Sequence, residues 1–121
     1  MASNVPFITD AQFEQLLANG RMARDCQARD QEFDPFPVVK LFTPDAGATW
    51  LLSELDATAE VAFGLCDLGL GSPEIGYVEV IALAALRGLM NRPIEQDRHF
   101  CAMQRLSAYA KEARMAGRIQ A

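Results

Sequence analysis

A lysine in the middle of an apolar run is the residue that most needs a partner in this chain. Lys40 interrupts Val38-Val39-Lys40-Leu41-Phe42, and an amine at the centre of an oily strand is costly unless it is paired or reaches water. Carboxylates follow at Glu54, Asp56, Asp67 and Glu74. These are the hard oxygen donors that a magnesium ion takes, so a small metal-dependent enzyme centred on Lys40, Glu54 and Asp67 is one expectation. The simpler expectation is a cross-strand ion pair between Lys40 and Glu54. With Trp50 beside it, that pair makes a polar spot on an apolar sheet face, able to grip a ligand or a partner. Lys40, Trp50, Glu54, Asp67 and Glu74 are the candidate binding residues.

Other chemistries find less support. The loop in Lys40-Leu-Phe-Thr-Pro-Asp-Ala-Gly-Ala-Thr-Trp50 has one glycine and no following lysine, so it is not a phosphate-binding P-loop. Gly69-Leu-Gly71-Ser-Pro-Glu74 begins like a dinucleotide fingerprint, but Glu74 stands at the third glycine position, where its charge would repel a pyrophosphate. His99 and Cys101 would share a strand face, yet one histidine and three scattered cysteines (Cys26, Cys66, Cys101) make a poor zinc set. Neither Ser53, Ser72 nor Ser107 lies in a nucleophile elbow. No catalytic residue is assigned, and no cofactor or metal is expected.

Charge is distributed unevenly. Residues 1–97 hold 6 basic and 15 acidic side chains, net −9, while residues 98–121 hold 5 and 1, net +4. The basic end suggests a nucleic-acid-binding module using Arg98, Arg105, Lys111, Arg114 and Arg118, or a helix laid against its own acidic body. Two lysines in the whole chain argue against a broad phosphate-binding surface. An odd cysteine count without a C-x-x-C pair, no membrane-length apolar run and no signal-like leader point to a cytoplasmic protein.

The elements that must hold these residues suggest one α+β domain over residues 1–121: an N-terminal helix and charged connector (1–37), a sheet with a buried helix (38–101) and a C-terminal helix (102–121). Thr9 and Gln12 form a capping box, Ile8 and Phe13 a hydrophobic staple, and Asn19-Gly20 is expected to end the first helix. Residues 21–34 are expected to form a loop or a short exposed helix. Strands at 38–43, 50–55 and 61–67, joined by short turns, predict an antiparallel meander. A fourth strand spans 74–79, a helix buried against the sheet spans 80–90, and a weak fifth strand spans 94–101. Pairing Thr43 with Thr49 would set Phe42 opposite Trp50 and Lys40 diagonal to Glu54.

Several blocks together resemble a known family: Pro37-Val-Val-Lys-Leu-Phe42, Thr49-Trp-Leu51, the Glu54-x-Asp56 that follows, and Gly64-Leu-Cys-Asp-Leu-Gly69. They are similar to bacterial domain-of-unknown-function family 2958, over nearly the whole chain. After Tyr77 the chain departs from that pattern, with Glu79-Val-Ile81 standing where the family has a serine-capped helix start. The resemblance implies a small protein carried on plasmids, phages and integrative elements. Taken with the acidic body and the absence of a catalytic constellation, that context suggests a non-enzymatic accessory protein acting by binding a protein, a counter-defence inhibitor of antirestriction or anti-CRISPR type being one form. The resemblance carries over no catalytic residue.

Overall fold

The computed structural model describes residues 2–121. The element order is α1 (Asp10–Ala28), β1 (Val39–Phe42), β2 (Thr49–Leu55), β3 (Val61–Asp67), β4 (Glu74–Glu79), α2 (Val80–Ala85), β5 (Glu95–Gln96) and α3 (Leu106–Ala116). The five strands form one antiparallel sheet in the order β4-β3-β2-β1-β5. The α+β class and the meander agree with the sequence reading.

Helix α1 starts as expected. The Thr9 hydroxyl accepts from Gln12 N, and the Gln12 side chain accepts from Thr9 N. It does not stop at Asn19-Gly20 but runs on to Ala28. The pair is a docking surface instead. Asn19 Nδ2 donates to Ser53 O at 2.9 Å, and a Cβ on Gly20 would stand 1.9 Å from Leu55 O. Glycine is present because the helix lies directly on the end of β2, and that contact outweighs its poor helix propensity.

The two faces of the sheet are covered differently. Phe13, Leu16 and Leu17 of α1 pack on Val39, Leu41, Trp50, Leu52, Leu55 and Ala62, with Val80, Leu83 and Ile94 closing that core. On the other face Leu106, Tyr109, Ala110 and Ala113 of α3 cover Leu51 and Leu65. The helix after β4 spans six residues rather than the predicted 80–90, and buries only Val80 and Leu83. Its N-cap residue, Glu79, offers no side-chain cap. The fifth strand shrinks from 94–101 to two residues.

The first hairpin is tighter than the sequence suggested. Thr43 N donates to Ala48 O, and Ala48 N donates to Thr43 Oγ1 at 3.0 Å. Phe42 consequently pairs with Thr49, Leu41 with Trp50 and Lys40 with Leu51. One residue of slip exchanges the faces of a strand. Trp50 and Leu52 therefore share the α1 side with Val39 and Leu41, while Leu51 shares the α3 side with Lys40.

Candidate functional site

A bulge in β2 decides where Glu54 goes. Leu52 pairs with Gly64 and Glu54 with Phe63, leaving Ser53 without a partner residue on β3. Without that extra residue, strict alternation would carry Glu54 to the same side as Leu52, under α1. The bulge re-aims it to lie beside Phe63, whose ring borders the α3-side cluster. Ser53 is fully buried and its hydroxyl donates to Phe63 O at 3.2 Å. Gly64 is required opposite the bulge, since a Cβ there would meet Leu51 O at 2.1 Å.

Glu54 lies in a hollow of about 320 Å³ with Phe63 and Tyr77 as its aromatic floor, and Ala23, Gln27 and Gln31 as one wall. The Phe63 and Tyr77 rings tilt at 55° with centroids 5.0 Å apart. Tyr77 is 76% exposed. Burial pushes the Glu54 carboxyl above its ordinary value, and the Arg24 guanidinium opposes that rise. An adjoining cleft runs to Asp56. Burial works against the ionised Asp56, but N–H groups of Val61 and Glu60, the Thr58 hydroxyl and Arg24 outweigh it and hold its pKa below the ordinary value. The arrangement offers aromatic surface, one half-buried carboxyl and amide groups from Gln27 and Gln31. Such a mixture suits docking, with an apolar body and polar tips.

The other candidates do not join it. Lys40 reaches the opposite end of its face, where Nζ lies 3.3 Å from Asp97 Oδ2 and donates to Ala121 O at 2.6 Å. The expected Lys40–Glu54 pair is not formed: along β2 the Lys40 partner and Glu54 are three positions apart, about 10 Å. Asp67 is buried, and its carboxylate accepts from Gly69 N and from Ile119 N, each at 2.9 Å, tying the end of the chain to the β3–β4 loop. Trp50 is a core residue, 2% exposed. Glu74 is exposed at the start of β4, opposite Cys66 and facing the α1 side. Phe63 and Tyr77 were missed in the sequence because each reads as an ordinary strand residue. What distinguishes them is the partial cover of that end of the sheet, which leaves Phe63 half-buried and Tyr77 exposed.

The basic residues are likewise dispersed. Arg105 lies over the Phe36 ring and donates to Asp34 O at 2.8 Å, in a cluster where Asp34 caps α3 through Ser107. These contacts hold the helix start in place, and Arg105 itself stays exposed. Arg98 lines a separate hollow with Phe7 and Pro93. Lys111, Arg114 and Arg118 are exposed.

Cys26 is buried, Cys66 half-buried and Cys101 exposed, all of them free thiols. Burial pushes the Cys66 thiol up. His99 and Cys101 line one hollow with Asp97 and Glu112. Among the described residues, however, no three His, Cys, Asp or Glu side chains come together in a way that could hold a metal ion. No helix among them is long and apolar enough to cross a membrane.

The model of one family, described as protein of unknown function (DUF2958), matches residues 7–120. No curated protein and no solved structure matches the chain.

Proposed function

The chain belongs to the DUF2958 family, and we propose that it works as a non-enzymatic accessory protein that binds another protein through the uncovered end of its sheet. The observation that carries this reading is the Phe63–Tyr77 pair beside Glu54, with Tyr77 76% exposed on an edge strand. Buried tyrosines at interfaces supply much of the binding energy, because a rigid ring brings area at small entropic cost and its hydroxyl finds a partner. The hollow beside it supplies polar groups without bringing the candidate catalytic residues together. If the chain is carried on a mobile element, as its motifs suggest, the partner is a host protein and the role we propose is inhibition of a defence enzyme.

Affinity capture from host lysates tests the reading, with wild-type protein and Tyr77→Ala in parallel and folding checked by circular dichroism. A defined partner should be retained by the wild type and reduced at least tenfold by the variant. Equal capture by both proteins would move the binding surface elsewhere, and no partner across several hosts would sink the reading.

A second reading rests on Lys111, Arg114 and Arg118, exposed on and just beyond α3, for which the described structure has no hydrogen-bond or ion-pair partner. Three free bases could contact three phosphates. Duplex binding would then weaken with a log–log salt slope of about −3, and Lys111→Gln with Arg114→Gln would bring the slope to about −1. A fluorescence-anisotropy titration at low ionic strength that stays flat would remove this reading.

A further inference from the structure

Strand β4 ends the sheet on one side, and its outer edge is unusually open. The bond from Val80 N to Glu60 O, at 2.9 Å, marks those two residues as a hydrogen-bonded pair at the end of the β3–β4 ladder. In an antiparallel ladder such pairs alternate with pairs whose N–H and C=O groups point away. From the register Ala62↔Val78, Phe63↔Tyr77, Gly64↔Gly76 and Leu65↔Ile75, Val78 and Gly76 bond inward to β3. The main-chain groups of Ile75 and Tyr77 then face outward, where the sheet has no further strand.

Proteins protect such edges with short strands, lysine, proline, bulges or a covering segment. At the opposite edge β5 is only two residues long. Strand β4 has six residues, Glu-Ile-Gly-Tyr-Val-Glu, with no lysine and no proline. A Cβ placed on Gly76 would have nothing within 4 Å. What the strand does carry is an exposed glutamate at each end, Glu74 and Glu79.

Those glutamates choose the occupant. A second copy pairing antiparallel about the centre of β4 would crowd the glutamates of both copies along one seam, although Glu74 and Glu79 lie on opposite faces and are not directly opposed, and that accumulation of like charge is unfavourable where a basic segment would be attracted. Glu60, exposed in the β2–β3 turn beside the end of β4, adds a third negative charge. Arg24 lines the adjoining cleft with Glu54 and Asp56, where its charge favours both ionised carboxylates. We infer that the outer edge of β4 accepts an extended segment of a partner protein as an added strand, with lysine or arginine opposite Glu74 and Glu79 and β-branched or aromatic residues between them. The inference rests on the protein-binding reading above and names the partner's chemistry and mode of attachment.

The probe is a phage-displayed library of random linear twelve-residue peptides, selected on the full chain, with enriched sequences synthesised and titrated by fluorescence anisotropy. Enriched peptides should carry two bases five positions apart around a run of β-formers. Tyr77→Val, which removes the ring of the proposed docking surface but keeps the outward N–H, should bind more weakly than wild type. Tyr77→Pro also removes that N–H while leaving the inward bonds to β3 intact, and should bind at least tenfold more weakly than Tyr77→Val. Glu74→Gln with Glu79→Gln should weaken binding severalfold and flatten its salt dependence. In case Tyr77→Pro fails to fold, amide exchange on the wild type provides the independent reading: peptide should slow Ile75 and Tyr77 more than Gly76 and Val78.

Enrichment of peptides without paired bases, failure to enrich any, or uniform exchange along β4 would each overturn the inference, as would a β4-mediated dimer in sedimentation. A lysate partner lost equally with Tyr77→Val and Tyr77→Pro would overturn strand addition but leave the protein-binding reading standing. A partner lost with neither would overturn both.

Discussion

Substituting Gly20 by alanine puts two physical effects in direct opposition. In an exposed helix interior the change would stabilise by about 1 kcal/mol, because glycine loses more backbone freedom on folding. Here the new methyl would lie 1.9 Å from Leu55 O and 3.1 Å from Leu55 C. Ordinary contact begins near 3.5 Å, so α1 must retreat by roughly 1.5 Å. That gap opens beneath Phe13, Leu16 and Leu17, whose burial supplies on the order of 6 kcal/mol together. Losing about half of the contact energy costs roughly 3 kcal/mol, which leaves a net destabilisation of about 2 kcal/mol. For a domain of this size that is a Tm drop of roughly 8 °C. Thermal and urea melts followed by circular dichroism measure it, with Gly76→Ala as a control whose methyl enters open space. A Gly20→Ala protein that melts at or above the wild type would refute the claim that this glycine is a contact rather than a helix stop. The same retreat should carry Arg24 and Gln27 away from Glu54 and loosen the hollow.

Replacing Asp67 with alanine orphans the Gly69 and Ile119 amides; the expected cost is about 2–3 kcal/mol, read by urea melts, with faster amide exchange over residues 117–120. Acid stability separates two carboxylates by sign. Asp56 titrates below its ordinary 3.8 in the folded chain, so its contribution stands above that value and is lost as pH falls through the depressed one; Asp56→Ala should flatten the acid limb of a stability–pH curve. Glu54 titrates above its ordinary 4.5, so the stability it favours is present at lower pH and lost as pH rises through the folded value. Glu54→Gln should therefore gain stability relative to wild type on the neutral side only. Under limiting iodoacetamide, mass spectrometry should find Cys101 alkylated first, with half-buried Cys66 and buried Cys26 lagging.

Much of the framework was legible in the residues themselves. The capping box at Thr9 and Gln12, the three central strands and the C-terminal helix rest on local patterns that the structure keeps. What failed was chosen by contacts distant in sequence. Asn19-Gly20 has the composition of a helix stop, and only the Leu55 and Ser53 carbonyls lying against it make continuation favourable. Residues 86–90 are expected from the sequence to continue α2, yet they turn away, with the Asp45 carboxylate accepting from the Met90 and Arg92 amides. The hairpin register depended on one residue of loop length, and the Thr43 side chain decided it by bonding Ala48 N. With that slip the lysine moved from an expected partner on β2 to Asp97, beyond β5.

The position of the candidate site follows from unequal cover. Helix α1 has 19 residues and spans about 28 Å, enough to lie along β2 and run on past its end at Leu55. Helix α3 has 11 and spans about 16 Å, so it covers Leu51 and Leu65 and stops. The strands beneath it are seven residues long, roughly 23 Å. A shorter helix on a longer sheet must leave one end bare, and the bare end holds Phe63 and Tyr77. The β2 bulge then adds a carboxylate to that surface by turning Glu54 out from under α1. A fold selected for stability alone could have buried an aliphatic residue at position 54 and ended β4 in a shorter, lysine-bearing edge. This chain keeps an open edge, an exposed ring and a half-buried acid close together, and on the protein-binding proposal each is a place that a partner would cover.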